Sequence, residues 1–263
     1  MDSPPSPLIT EHDHFWQDHF IQKTITAKGP TDSITVELRY KGQHPVDAFI
    51  CPLYEPPDIP FDGGAGSILL LRALIRHIRQ HFPSITHVRF EDQSIVYPED
   101  PLPLRYFWIA FGGRGETWFE THFHAIYQSN EAHDKYRKRV NAFLTEKTPP
   151  FHDFLRGLTR PDLFWENHHL FQEVEQLYAS ATTYNELFDS IPKERRYEHA
   201  RIWVIYLVEE HVTSVMSRMG WRIDVTSLPE GQPDDSSLPI QRDGGWDTWR
   251  AQCMMSVSDV EDE

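Results

Sequence analysis

Val46-Asp47-Ala48-Phe49-Ile50-Cys51-Pro52-Leu53-Tyr54, followed at a short distance by Asp62-Gly63-Gly64-Ala65-Gly66-Ser67, is the stretch on which the fold turns. The first segment reads as an apolar strand and the second as a glycine-rich turn. An amphipathic helix follows over residues 68–82, with Leu71, Leu74, Ile75 and Ile78 on one stripe and Arg72, Arg76 and Arg79 opposite. Pro83 ends it. Residues 85–91, with Val88 and Phe90 turned inward, read as a second buried strand. Strand, glycine turn, helix, strand aims backbone N–H groups and a helix N-terminus at an anion.

Toward the N-terminus the pattern is that of a meander. Ser33–Lys41 alternates cleanly, with Ile34, Val36, Leu38 and Tyr40 on one face and Thr35, Glu37, Arg39 and Lys41 on the other. Strands over 20–28, 33–41 and 46–54 are joined by Pro30-Thr31-Asp32 and Lys41-Gly42-Gln43, which supply turn chemistry. Residues 1–10 read as a Pro/Ser-rich disordered lead, and residues 11–17 as a short helix.

Toward the C-terminus, Leu104–Phe111 reads as a short buried helix rich in aromatics, and residues 118–127 as a strand. Residues 131–145 form an amphipathic helix on Tyr136, Val140 and Phe143. Pro149-Pro150 marks the end of the α/β unit, which the reading places at 11–148. A helical region packed on it is expected over 149–225, and an acidic flexible tail over 226–263. Leu163, Leu170, Val174 and Leu177 line one helix, residues 183–191 form another, and residues 194–219 form a long helix that is apolar nearly all round at 202–208. The tail is rich in Pro, Asp and Ser, as disordered segments are. Ser256 and Ser258, set among acidic residues, are candidate sites for an acid-directed kinase.

Composition narrows the class of function. With 25 Lys and Arg against 40 Asp and Glu, the formal charge is −15 across 263 residues, which disfavours nucleic acid and anionic membrane as partners. Two cysteines, Cys51 and Cys253, build neither a disulfide framework nor a thiolate zinc site, and they point to a reducing, cytoplasmic setting. No apolar run approaches the ~18–20 residues a membrane helix needs. The N-terminus has neither the basic nor the apolar region of a signal peptide.

The order and spacing over residues 33–127 resemble the central motifs of the GNAT superfamily, the acyl-CoA-dependent N-acyltransferases. Gly64-Ala65-Gly66 matches the Gly-x-Gly part of their pyrophosphate turn, and Phe119-Glu120-Thr121-His122-Phe123 resembles their aromatic last motif, shortened by one residue. A narrower pattern is Glu91-Asp92-Gln93-Ser94, then Gly115-Glu116-Thr117-Trp118-Phe119-Glu120, then a helix bearing Tyr136. It is similar to GNAT-like proteins of large double-stranded DNA viruses. The resemblance implies an α/β fold with a mixed, mostly antiparallel twisted sheet flanked by helices. For an active enzyme it implies acetyl-CoA or another acyl-CoA as cofactor. Gly64, Ala65, Gly66 and Ser67 would then hold the pyrophosphate, Glu91 or Asp92 would act as base, and Tyr106 as acid.

The departures from that pattern weigh against activity. Phe61 stands where the family places Arg or Gln, and Asp62 adds negative charge beside the expected pyrophosphate. Phe119 stands where a tyrosine commonly protonates the departing thiolate, and it has no proton to give. The expectation is therefore a non-catalytic, GNAT-like module without a cofactor. Its partner would be another protein, inside a cell or in a virus particle. Aromatics Tyr106, Phe107 and Trp108 are expected to be core.

Two histidine patterns bear on metal. His122 and His124, on one strand face with Glu120, lack a fourth ligand, and His77 and His81 lack the glutamate of a His-Glu-x-x-His motif, so no metal is expected.

Overall fold

The computed structural model describes residues 7–16, 19–28, 33–41, 44–50, 65–92, 95–96, 102–158, 161–212 and 220–227. Four antiparallel strands come first: β1 (Leu8–Trp16), β2 (His19–Lys28), β3 (Ser33–Lys41) and β4 (His44–Ile50). The α1 helix (Ala65–His81) leads to β5 (His87–Phe90), which pairs with β4 in parallel. A small separate ribbon, β6 (Ile95–Val96) with β7 (Leu102–Pro103), precedes α2 (Leu104–Phe111) and α3 (Trp118–Phe123). Strand β8 (Ile126–Tyr127) and α4 (Asn130–Thr145) follow.

The remaining helices are α5 (Phe151–Gly157), α6 (Pro161–Glu166), α7 (His168–Ser180) and α8 (Tyr184–Ser190). A 3₁₀ turn at Lys193–Arg195 opens into α9 (Arg196–His199), a π-helical stretch (Ala200–Val204) and α10 (Ile205–Val212), before the last strand, β9 (Trp221–Asp224).

The main sheet has seven strands in the order β1-β2-β3-β4-β5-β9-β8. It is open, mixed and mostly antiparallel, and helices flank it. Strand periodicity sets its inner face: Ile25, Ala27, Ile34, Val36, Leu38, Ala48, Val88, Phe90, Trp221 and Ile223 are all buried. Their alternates, among them Thr26, Thr35, Glu37, Arg89 and Arg222, are partly or fully exposed. The apolar stripe of α1, Leu71, Leu74, Ile75 and Ile78, packs onto β2 and β3. The Glu11–His77 pair at 2.7 Å ties α1 to β1, so the face bearing His77 is bonded to the sheet rather than merely solvated.

Several elements differ from the sequence reading. Residues 8–16 form a strand where a disordered lead and a short helix were expected, because Glu11 and Asp13 both reach Lys23 across the β1–β2 pair. Residues 118–123 form a helix instead of a strand. Thr117 and Glu120 make a capping box there, which overrides the alternating pattern. His122 and His124 therefore do not share a strand face with Glu120.

The helix expected across Leu163 to Leu177 breaks at Asn167 into α6 and α7. The long helix expected over 194–219 is instead an α, π and α succession, in which the buried Trp203 indole N–H donates to His199 Nδ1 at 3.1 Å. Residues 213–219 and the acidic tail from 228 onward, with Ser256 and Ser258, lie outside the described residues.

Pro149-Pro150 joins α4 to α5, but it does not close off the sheet. Strand β9 arrives from beyond the helices and inserts between β5 and β8. The helices also share the core: the Phe143 ring stacks 4.4 Å from His211, and Arg196 Nη1 donates to the Phe111 carbonyl at 3.3 Å.

Candidate functional site

The parallel β4–β5 pair fixes where the expected site residues lie. A 17-residue helix is about 25 Å long. Since α1 ends six residues before β5 begins, its first turn lies at the opposite end of the sheet, beyond the carboxyl ends of β4 and β5. The Ser84 hydroxyl, just after α1, donates to the Pro45 carbonyl at the start of β4 at 2.9 Å, which pins the helix C-terminus to the other end. Ala65, Gly66 and Ser67 form the first turn of α1, while Gly64, Phe61 and Asp62 lie outside the described residues. Glu91 and Asp92 directly follow β5, so they are at the same end as that first turn.

Arg105 links two of the expected reacting groups. Its Nη1 donates to the main-chain carbonyl of Asp92 at 2.6 Å, and its Nη2 lies 3.5 Å from the Tyr106 hydroxyl. The guanidinium also stands 4.5 Å above the Tyr106 ring, a cation–π contact. Asp92 and Tyr106 are both buried, as is Arg105 Nε, which has no hydrogen-bond partner among the described residues. Phe107 is core, while Trp108 is only partly buried.

Phe119 packs at the end of β5. Its ring is 4.2 Å from Phe90, the last residue of β5, and Phe90 stacks in turn at 6.3 Å on Trp221 of β9. The end of β5 is thus packed with aromatic rings from α3 and β9.

A second polar centre, beneath the first turn of α3, was not foreseen. Glu120 is 6 % exposed, and its Oε2 accepts from the Thr117 N–H at 2.7 Å and from the Tyr136 hydroxyl at 2.9 Å. Its Oε1 lies 3.6 Å from Arg137 Nη1 and 3.7 Å from His133 Nε2. Arg137 also donates to the Gly115 carbonyl and, at 3.1 Å, to that of Arg114. His133 Nδ1 accepts the Tyr127 N–H at 3.3 Å. Burial pushes the Glu120 carboxyl above its ordinary value, against the pull of Thr117, Arg137 and Tyr136. Burial also raises the Tyr136 hydroxyl well above its usual range, and the Glu120 charge adds to the effect.

The capping box was legible as Thr-x-x-Glu. Tyr136 was singled out on its helix, but its meeting with Glu120 follows only from the packing of α4 on α3.

Two other histidines are held neutral. His122 lies between Trp108 and Trp118, where burial first and the Arg72 charge second push it down to about 4. His199 is fully buried and uses both ring nitrogens, Nδ1 for Trp203 and Nε2 for Glu173 at 3.3 Å, so it has no nitrogen left for chemistry. Among the described residues no group of three or more His, Cys, Asp or Glu is placed to hold a metal ion. No described helix is long and apolar enough to cross a membrane.

No protein-family model, curated protein or solved structure matches the chain.

Proposed function

We propose that the chain is a GNAT-like module that works by binding another protein and does not transfer acyl groups. The position of Phe119 carries this reading. Its ring packs against Phe90 at the end of β5, and it is the residue that the sequence resemblance matches to the family's proton donor. A phenyl ring cannot protonate a thiolate. The GNAT-like part of the reading draws on the parallel strand pair joined by α1, because ligands of α/β sheets gather at the carboxyl ends of parallel strands. Phe61 and Asp62 supply no positive charge for a pyrophosphate. The resemblance to proteins of large DNA viruses makes an infected cell or a virus particle the setting of the proposed partner.

Isothermal titration with acetyl-CoA tests the reading. No heat is expected, and no acyl transfer to amines. Binding at micromolar affinity or tighter would overturn it in favour of N-acyl transfer. One observation favours that second reading: Arg105 draws Asp92 and Tyr106 together at the end of the sheet where α1 begins. In that case Ala65, Gly66 and Ser67, with Gly64, would hold the coenzyme, Glu91 or Asp92 would take the amine proton, and Tyr106 would give one to the thiolate.

A further inference from the structure

We propose that His133 is an acid-operated latch on β8, one of the two edge strands of the main sheet among the described residues. Strand β8 is two residues long and holds to β9 through Ile126↔Arg222 and Tyr127↔Trp221, with Gln128 N–H donating to the Gly220 carbonyl at 2.7 Å. Such a short edge needs ties from outside the sheet. His133, on α4, supplies one by accepting the Tyr127 N–H at Nδ1. The bond also occupies a main-chain donor that an edge strand would otherwise offer to another chain.

The tie exists only for the neutral ring. Because Nδ1 accepts, the ring proton sits on Nε2, which faces Glu120 Oε1 at 3.7 Å. A second proton must go to Nδ1, where it meets the Tyr127 N–H head on. Two donors then face each other and the bond is lost. Protonation of His133 therefore breaks this bond between the Tyr127 N–H and α4.

The surroundings of the ring set the pH at which this happens. From α4 itself, Asp134 favours the cation and Arg137 opposes it; from the segment before α3, Glu116 favours it; from α3, Glu120 faces it. Strand β9 presents the edge of Trp221 at 6.4 Å, and α4 the Tyr136 ring at 5.8 Å. Burial first and Arg137 second hold His133 below its ordinary value, so the latch is closed at neutral pH and opens at a lower pH than an ordinary histidine would titrate.

The test is an NMR titration of the ¹⁵N-labelled full chain. At pH 7.5 the His133 ring nitrogens should report the Nε2–H tautomer. As the pH falls, exchange of the Tyr127 amide, corrected for its intrinsic pH dependence, should rise about fivefold or more, the factor that loss of one ordinary hydrogen bond brings. Its midpoint should coincide with that of His133. The rise should vanish in His133→Gln, whose carbonyl accepts but does not titrate, and should persist in Glu120→Gln.

Three results would each overturn the proposal: a Tyr127 amide that stays flat while the His133 ring titrates in the unmodified chain, a rise that survives His133→Gln, or one abolished by Glu120→Gln. Should His133→Gln fail to fold, the two midpoints in the unmodified chain decide, and a clear separation between them refutes the latch.

Discussion

The Tyr136 hydroxyl of α4 and the Glu120 carboxylate of α3 meet at 2.9 Å, on the oxygen that also caps the Thr117 N–H. A long-range hydrogen bond thus completes a local helix cap. Tyr136→Phe removes one donor from a buried carboxylate and adds no polar group. Such bonds to charged groups are worth ~1.5–3 kcal/mol, and neutral ones about half that. Chemical denaturation should show a loss in the charged range at pH 7 that shrinks in acid, where Glu120 is protonated. A loss of equal size at both pH values would mean that the bond to the charged carboxylate is not what Tyr136 contributes.

Glu120→Gln should change how stability depends on pH. The folded-state value of Glu120 lies above the unfolded one, so its titration contributes stability that is fully present below the unfolded value, near 4.5. That contribution fades as the pH rises through the folded value. The advantage of the unmodified chain over Glu120→Gln should therefore be larger at pH 4.5 than at pH 7. Paired denaturation curves check this, and an advantage that grows with pH would show that burial does not dominate the site.

His122 gives a proton prediction of the opposite sign. Its folded value, about 4, lies below the ordinary 6.5, so its titration contributes stability above 6.5 that is lost as the pH falls toward 4. In NMR its ring should titrate near 4. His122→Phe should remove part of the acid slope of stability between those limits.

Gly115 and Gly113 both adopt the left-handed region, at φ +61° and +81°, but their surroundings differ. A methyl group at Gly115 would stand 2.4 Å from Leu144 Cδ1 and 3.3 Å from Val140 Cγ1, whereas at Gly113 it meets nothing within 4 Å. Gly113→Ala should cost only the backbone penalty, about 1 kcal/mol. Gly115→Ala should cost ~1–3 kcal/mol more, since Leu144 must move within a packed core. Thermal unfolding of the two variants separates the terms, and equal losses would mean that Leu144 yields freely.

Which parts were legible in the sequence follows from how locally each is encoded. Ile34, Val36 and Leu38 alternate within one strand, and Leu71, Leu74, Ile75 and Ile78 share one helix stripe. Those elements could be read directly, as could α2 and α4. Strand β9 could not. Four residues, Trp221 to Asp224, alternate too briefly to stand out in the sequence. In α3 two local codes competed: alternation over Trp118, Glu120 and His122 suggested a strand, but Thr117 and Glu120 satisfied each other's backbone donors and made a helix. The Glu120 centre was unreadable for another reason. His133, Tyr136 and Arg137 come to it from a separate helix, and no spacing rule along the chain brings them together.

The late position of β9 has a consequence for how the chain is made. About 130 residues separate Phe90 from its partner Trp221, and a pairing of that span is slow to form. During synthesis β5 and β8 emerge long before Trp221-Arg222-Ile223-Asp224 does. Until that segment clears the ribosome, the nascent chain carries two unsatisfied strand edges beside Phe90 and Tyr127, surfaces that invite misassembly with other chains. Chaperone dependence and yield should therefore respond to changes around residues 220–225 more sharply than the small size of that strand would suggest.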